Sequence, residues 1–204
     1  MFVVPVLDNK AYYIQLPKCA NTSIVQSIGV LNGWDLGTDI QKRIKKHKKN
    51  IKKDRIKSLS EESFVFSFVR NPWDRFVSAY EYLKRGGIPY YDRTKTVIIK
   101  EEYPEFKDFV RAENVWKHWV FFWHQLDFVS IDGSIAMDFI GRFECLQSDF
   151  DDICDEINYP KVKLPYINKT KHAHYTEYYD DESIEIVGHL YKNDIEHFNY
   201  NFGD

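Results

Sequence analysis

Arg70 stands eight positions before Ser78 in the stretch FVFSFVRNPWDRFVSAY, residues 64–80. A guanidinium carries a fixed charge and a planar fork that matches phosphate oxygens, and a hydroxyl two helical turns further on adds a neutral donor. That pair could clamp a phosphate. A second candidate is the run Pro17-Lys18-Cys19-Ala20-Asn21-Thr22-Ser23, a lysine and two hydroxyls among small residues. A loop of this kind turns backbone N–H groups toward an anion while the lysine adds a full charge. Each stretch also has a plainer reading, with Arg70 pairing only with Asp74 or a carbonyl and Thr22 serving as a helix N-cap.

Both stretches need elements to hold them. Phe64 to Val69 is a continuous apolar run broken only by Ser67, the pattern of a strand buried on both faces of a parallel sheet. Asn71 is a good N-cap and Pro72 suits a first helical position, so a helix carrying Phe76, Val77 and Tyr80 should start there. Arg70 then lies at the carboxyl end of a central strand, the edge where open α/β sheets bind ligands. Ala11 to Leu16 reads as a first short strand, and Ile24, Val25, Ser27 and Ile28 as the helix after the small-residue loop. The loop is not a Walker A loop, because GxxxxGK[ST] is absent and Lys18 precedes the turn.

Further along, Gly86-Gly87 ends the second helix and Tyr90 to Glu105 reads as an irregular loop of the kind that carries specificity. A helix is expected from about Asn114, with Trp116, Trp119 or Val120, Trp123, and Leu126 or Asp127 on one side. Ala136 to Glu144 reads as a strand. Leu146, Phe150, Ile153 and Ile157 then recur at helical spacing, with a start near Ser148 or Asp149 and a stop before Tyr159-Pro160. Asp180 or Asp181 opens a last helix with Ile184, Val187, Tyr191, Ile195 and Phe198 on its buried face. The expected fold is a single α/β domain over 1–204, a central, mainly parallel sheet flanked by helices with a P-loop-like phosphate-binding loop.

Composition fits that fold. The chain has 204 residues, 44% hydrophobic and 17% aromatic, enough for one domain that buries roughly 70% of its unfolded surface. The net charge is −3, yet Gln41 to Lys57, QKRIKKHKKNIKKDRIK, is strongly basic. Its plain reading is a solvated face. Nucleic acid is a poor fit, since no aromatics interleave the lysines to stack bases. No apolar run approaches the roughly 18 residues of a membrane span, and the short apolar start MFVVPV lacks the basic region of a signal peptide. Cys19, Cys145 and Cys154 form no metal-ligand spacing, which points to a reducing compartment, by default the cytoplasm, and to no metal site.

Together, PKCANTSI after the first strand and FVRNPWDRFVSAY after a central one resemble the sulfotransferase superfamily, and more closely its carbohydrate (glycan) branch. The resemblance runs from Ile14 to Phe202 and includes the segments IGRFE, at 140–144, and NKT, at 168–170. It implies sulfuryl transfer from 3′-phosphoadenosine 5′-phosphosulfate (PAPS) to an acceptor hydroxyl, releasing 3′,5′-adenosine diphosphate (PAP). Carried over by position, Lys18, Cys19, Ala20, Asn21, Thr22 and Ser23 would line the 5′-phosphosulfate site, and Arg70 and Ser78 would take the 3′-phosphate. Lys169 and Thr170 would help close over the nucleotide. Relatives often carry glycines where this chain has Ala20 and Asn21, but both are small and Asn tolerates left-handed angles.

The resemblance also implies a catalytic base. Relatives often place a His a little over twenty residues before the arginine of the second motif, and His47 precedes Arg70 by 23 positions. Its lysine neighbours would keep the imidazole neutral, as proton abstraction from a hydroxyl requires. His118 is the second candidate base, and with Gln125 it would lie toward the acceptor. Two other classes stay open on the residues alone: a P-loop-like kinase of small molecules, and a non-enzymatic polyanion-binding module built on Lys42 to Lys57. The missing GK[ST] weighs against the first, and salt-sensitive binding without nucleotide preference would favour the second.

Overall fold

The structure is a computed structural model that describes residues 2–33, 49–50, 56, 59, 62–87, 89–165 and 173–204. In chain order its elements begin with β1 (Phe2–Val6), β2 (Ala11–Ile14), α1 (Asn21–Leu31), β3 (Lys49–Asn50) and β4 (Phe64–Val69). Helices α2 (Pro72–Lys84), α3 (Pro89–Glu101), α4 (Phe106–Arg111) and α5 (Glu113–Trp116) follow, then α6 (Leu126–Val129). The chain continues through β5 (Ser130–Ile131), β6 (Ser134–Ile135), β7 (Phe139–Arg142) and α7 (Leu146–Glu156), and ends in α8 (Asp181–Leu190) and α9 (Lys192–Phe198). It divides into two compact units, residues 1–69 with 125–170 and residues 70–124 with 171–204.

The first unit is built on a mixed sheet of order β3-β1-β2-β4-β7. The strands β2, β4 and β7 are parallel, as expected, while β1 pairs antiparallel with β2 and β3. β4 is buried from Val65 to Val69, which is why its sequence does not alternate. Ser67, its one polar residue, donates to the Ile14 carbonyl at 2.8 Å and so ties the end of β2 to β4. Helix α1 lies against β1, and α7 against β7.

Two strands are shorter than their sequences suggest. The strand read over Ala11 to Leu16 ends at Ile14, because the chain must turn into the small-residue loop. The strand read over Ala136 to Glu144 is confined to Phe139–Arg142, and Phe143–Cys145 forms a 3-10 turn into α7. There the Asp149 carboxylate accepts the Arg142 N–H at 2.6 Å, so the carboxylate ends the ladder.

In the second unit α2 starts as the sequence predicts: Asn71 Oδ1 accepts the Trp73 N–H at 3.1 Å with Pro72 in the first turn. Phe76 packs edge-on against Trp116 at 4.9 Å and against Phe106 at 5.8 Å. Each such pair adds about 0.5–1.5 kcal/mol beyond its burial. Three expectations need correction. Tyr90 to Glu105 is not a loop but mostly α3, and Pro89 at its start with Asp92 in its first turn was the available signal. The long helix expected from Asn114 is broken into α5, a 3-10 turn at Val120–Phe122, and α6. Its carbonyls are taken from outside: Arg75 donates to Phe121 O at 2.9 Å and to Trp123 O at 2.6 Å, and the Tyr191 hydroxyl to Phe122 O at 2.6 Å. Tyr191 in turn divides the last helix into α8 and α9, with its own backbone bent to φ −97° and ψ 22°.

Candidate functional site

The loop after β2 carries the first group of candidates. Lys18 and Ala20 both have left-handed backbones, φ 69° and 57°, conformations that disfavour non-glycine residues by about 1–2 kcal/mol each. The left-handed angles fall on these two residues rather than on Asn21. Ala20 is the N-cap of α1, with no side chain to cap it and no acidic residue in the first turn. Thr22 is therefore inside the helix and is not its cap. An N-terminus of this kind presents partial positive charge with no competing carboxylate nearby in sequence.

The Asn21 side chain is held within the loop. Its Nδ2 donates to Leu16 O at 2.6 Å, and its Oδ1 accepts from the Tyr13 hydroxyl at 2.6 Å. Tyr13 is fully buried, and burial first, then Cys19, raises its pKa well above the usual phenol value. Cys19 is also fully buried, its thiol 3.7 Å from Gln125 Oε1 and 3.7 Å from Pro17 O. Ser23 is buried, while Lys18, Ala20 and Thr22 are half-buried. Gln125, expected toward the acceptor, is fully buried, with its Oε1 against the Cys19 thiol.

Arg70 directly follows β4, which runs parallel to β2 with Ser67 paired to Ile14. It is 8% exposed, and its Nε donates to Asp74 Oδ2 at 2.7 Å. The ion pair weighed from the sequence is thus present. Ser78 follows Asp74 by one further helical turn and is half-buried. Asn71, between Arg70 and α2, is fully buried and donates through Nδ2 to Asn201 O at 2.8 Å. His118 is exposed in the turn after α5, and its carbonyl accepts from Trp123 Nε1 at 3.3 Å.

His47, Lys169, Thr170 and most of Lys42 to Lys57 lie outside the described residues. Among the described residues, no three His, Cys, Asp or Glu side chains come together to hold a metal ion. Two open cavities of about 530 and 310 Å³ sit at the far edge of the sheet, around Leu7, Asp8 and Tyr159, and contain none of the candidate residues. Sequence reasoning missed Tyr13 and Arg75. Neither was singled out: Tyr13 falls within the strand read over Ala11 to Leu16, and Arg75 within the helix read after Pro72.

The sulfotransferase family profile matches residues 6–201, spanning both the β2–α1 loop and the β4–α2 junction. The chain belongs to the sulfotransferase family. No curated protein and no solved structure matches it. This sulfotransferase carries the α/β fold expected of the family, with β2, β4 and β7 parallel and a helix opening after the loop that follows β2. Its chemistry is sulfuryl transfer, a reaction that must bind an anionic donor and stabilise charge on a departing anion.

Proposed function

We propose that this sulfotransferase uses PAPS as its donor and a carbohydrate hydroxyl as its acceptor. The observation that carries the donor reading is the start of α1, where neither a capping side chain nor a first-turn acid competes with an anion and Lys18 lies just ahead. When bound, PAPS supplies the sulfuryl group and departs as PAP. The N–H groups at the start of α1 and the Lys18 ammonium would hold the 5′-phosphate and stabilise the charge it gains as its bond to sulfur breaks. Thr22 and Ser23 add hydroxyl donors to that end. Arg70 and Ser78 would hold the 3′-phosphate, and the Asp74 carboxylate on Nε fixes the orientation of the guanidinium. Lys169 and Thr170 would close over the nucleotide.

His47 is the proposed base, taking the acceptor proton as the hydroxyl oxygen attacks sulfur. His118, exposed beside Trp123, is the second candidate. The glycan acceptor rests on the branch resembled in the two motifs.

Calorimetry of PAP against 5′-AMP and ATP tests the donor reading. PAP should bind preferentially, and Arg70→Ala should abolish the preference. Equal binding of all three would overturn the reading and favour a polyanion binder acting through Lys42 to Lys57. For the base, His47→Ala should lower turnover by about 10²–10⁴-fold with PAP affinity retained; near-normal turnover would move the role to His118.

A further inference from the structure

Asn21 is the first residue of α1, where a small residue would serve an anion equally well, and its amide is committed at both ends. Leu16 O can only accept, so Asn21 Nδ2 must face it, and Oδ1 must face Tyr13. The Tyr13 hydroxyl is therefore the donor. The phenol ring cannot drift, for it stacks on Phe66 at 5.3 Å and 25° and meets Phe68 edge-on at 6.4 Å. Both phenylalanines belong to β4, which lies between β2 and β7. A rigid path thus runs from the core of the sheet through Tyr13 and Asn21 to the backbone of the loop.

That path spans the part of the chain that most needs a constraint. Leu16 and Asn21 bracket the two left-handed residues, Lys18 and Ala20. Without the amide bridging its ends, the loop would relax toward ordinary angles and turn its N–H groups out of alignment. A backbone anion site gains its strength from donors fixed in advance, so such relaxation would be felt in phosphate affinity before it was felt in the fold.

We infer that Tyr13, a core residue of β2, is a positioning residue for the 5′-phosphate end of the donor site, acting through Asn21. This rests on the reading of the Pro17–Ser23 loop as that site. Tyr13 touches no nucleotide. Its part is to hold the loop in the shape that receives one.

The test uses the full chain and two nucleotides that differ only at the 5′ end: PAP and adenosine 3′-phosphate. In Tyr13→Phe, PAP affinity by calorimetry should fall roughly 5- to 20-fold, as for loss of one well-formed hydrogen bond, while adenosine 3′-phosphate changes less than twofold. Asn21→Ala, which removes the amide and keeps the Tyr13 ring in place, should lose at least as much, and the double variant no more than Asn21→Ala alone. Equal weakening of both nucleotides, unchanged PAP affinity, or additive losses in the double variant would overturn the inference. Should the unaltered protein bind both nucleotides equally, the assignment of the loop as the 5′ site would fail instead.

Discussion

Arg70 Nε and Asp74 Oδ2 lie 2.7 Å apart across one helical turn, with their side chains 10% and 16% exposed. The pair is both a structural contact and a way of aiming a guanidinium, and the two roles separate experimentally. Arg70→Ala leaves a mostly buried carboxylate without its partner, a loss of about 2 kcal/mol in urea unfolding. Arg70→Ala with Asp74→Ala should recover most of that stability, since neither charge is then stranded. Preference for PAP over 5′-AMP should stay lost in both variants. Recovery of the preference in the double variant would show that Arg70 is only Asp74's partner.

Gly141 sits directly opposite Phe68 in the β4–β7 ladder. A Cβ on residue 141 would stand 2.7 Å from Phe68 Cδ1 and nearer still to Cε1. The ring cannot step aside freely, because Tyr13 meets it edge-on. Gly141→Ala should therefore destabilise the chain by about 1–3 kcal/mol through overpacking. Combining it with Phe68→Leu should return part of the loss, and urea denaturation of the three variants reads the difference. No recovery in the pair would place the strain elsewhere.

The parts of this fold that were legible in sequence are those set by local chemistry. Asn71-Pro72 starts α2, Gly86-Gly87 follows its end, and Asp180 caps α8, as propensity and capping predict. The two phosphate-loop candidates were legible because each combines a strand signature with residue types suited to anions. What failed was set by distant groups. β1 was hidden because Pro5 argues against a strand interior, yet Pro5 pairs with Tyr12 in the β1–β2 ladder. The aromatic stretch after Asn114 has a plausible helical stripe, but no local pattern announces that Arg75 and Tyr191 take its carbonyls. The contact of Gln125 with Cys19 was hidden for the same reason, since it spans 106 positions.

Asp180 gives the chain a pH dependence of known sign. Its carboxylate accepts from the Ser183 hydroxyl at 2.6 Å and the Ser183 N–H at 2.9 Å, and pairs with Arg111 at 2.9 Å. The Ser183 bonds first, and Arg111 after them, hold its pKa well below the ordinary carboxylate value. The folded pKa is thus lower than the unfolded one, about 3.9. The stabilising contribution is complete above that unfolded value and is lost as pH falls toward the folded one. Asp180→Asn keeps a good cap but removes the charge. The parent should be the more stable at pH 6, and the gap should close below about pH 4. A gap that is constant with pH would assign the cap to geometry alone.

The three cysteines differ in a way that reports on the Pro17–Ser23 loop. Cys145 is exposed, whereas Cys19 and Cys154 are buried. Burial first, then Asp151, pushes the Cys154 thiol up to about 11, so it is a poor nucleophile as well as a hidden one. With a thiol reagent near pH 8, Cys145 should react fast and Cys154 only on unfolding. Cys19 is the informative one, because reaching it requires the Pro17–Ser23 loop to open away from Gln125. Its labelling should be slow in the unaltered protein, slower still with PAP bound, and faster in Tyr13→Phe, where the loop has lost its tie to the sheet. Mass spectrometry of the labelled peptides resolves the three rates. Cys19 labelling as fast as Cys145, with or without PAP, would mean that the loop is not held shut in solution.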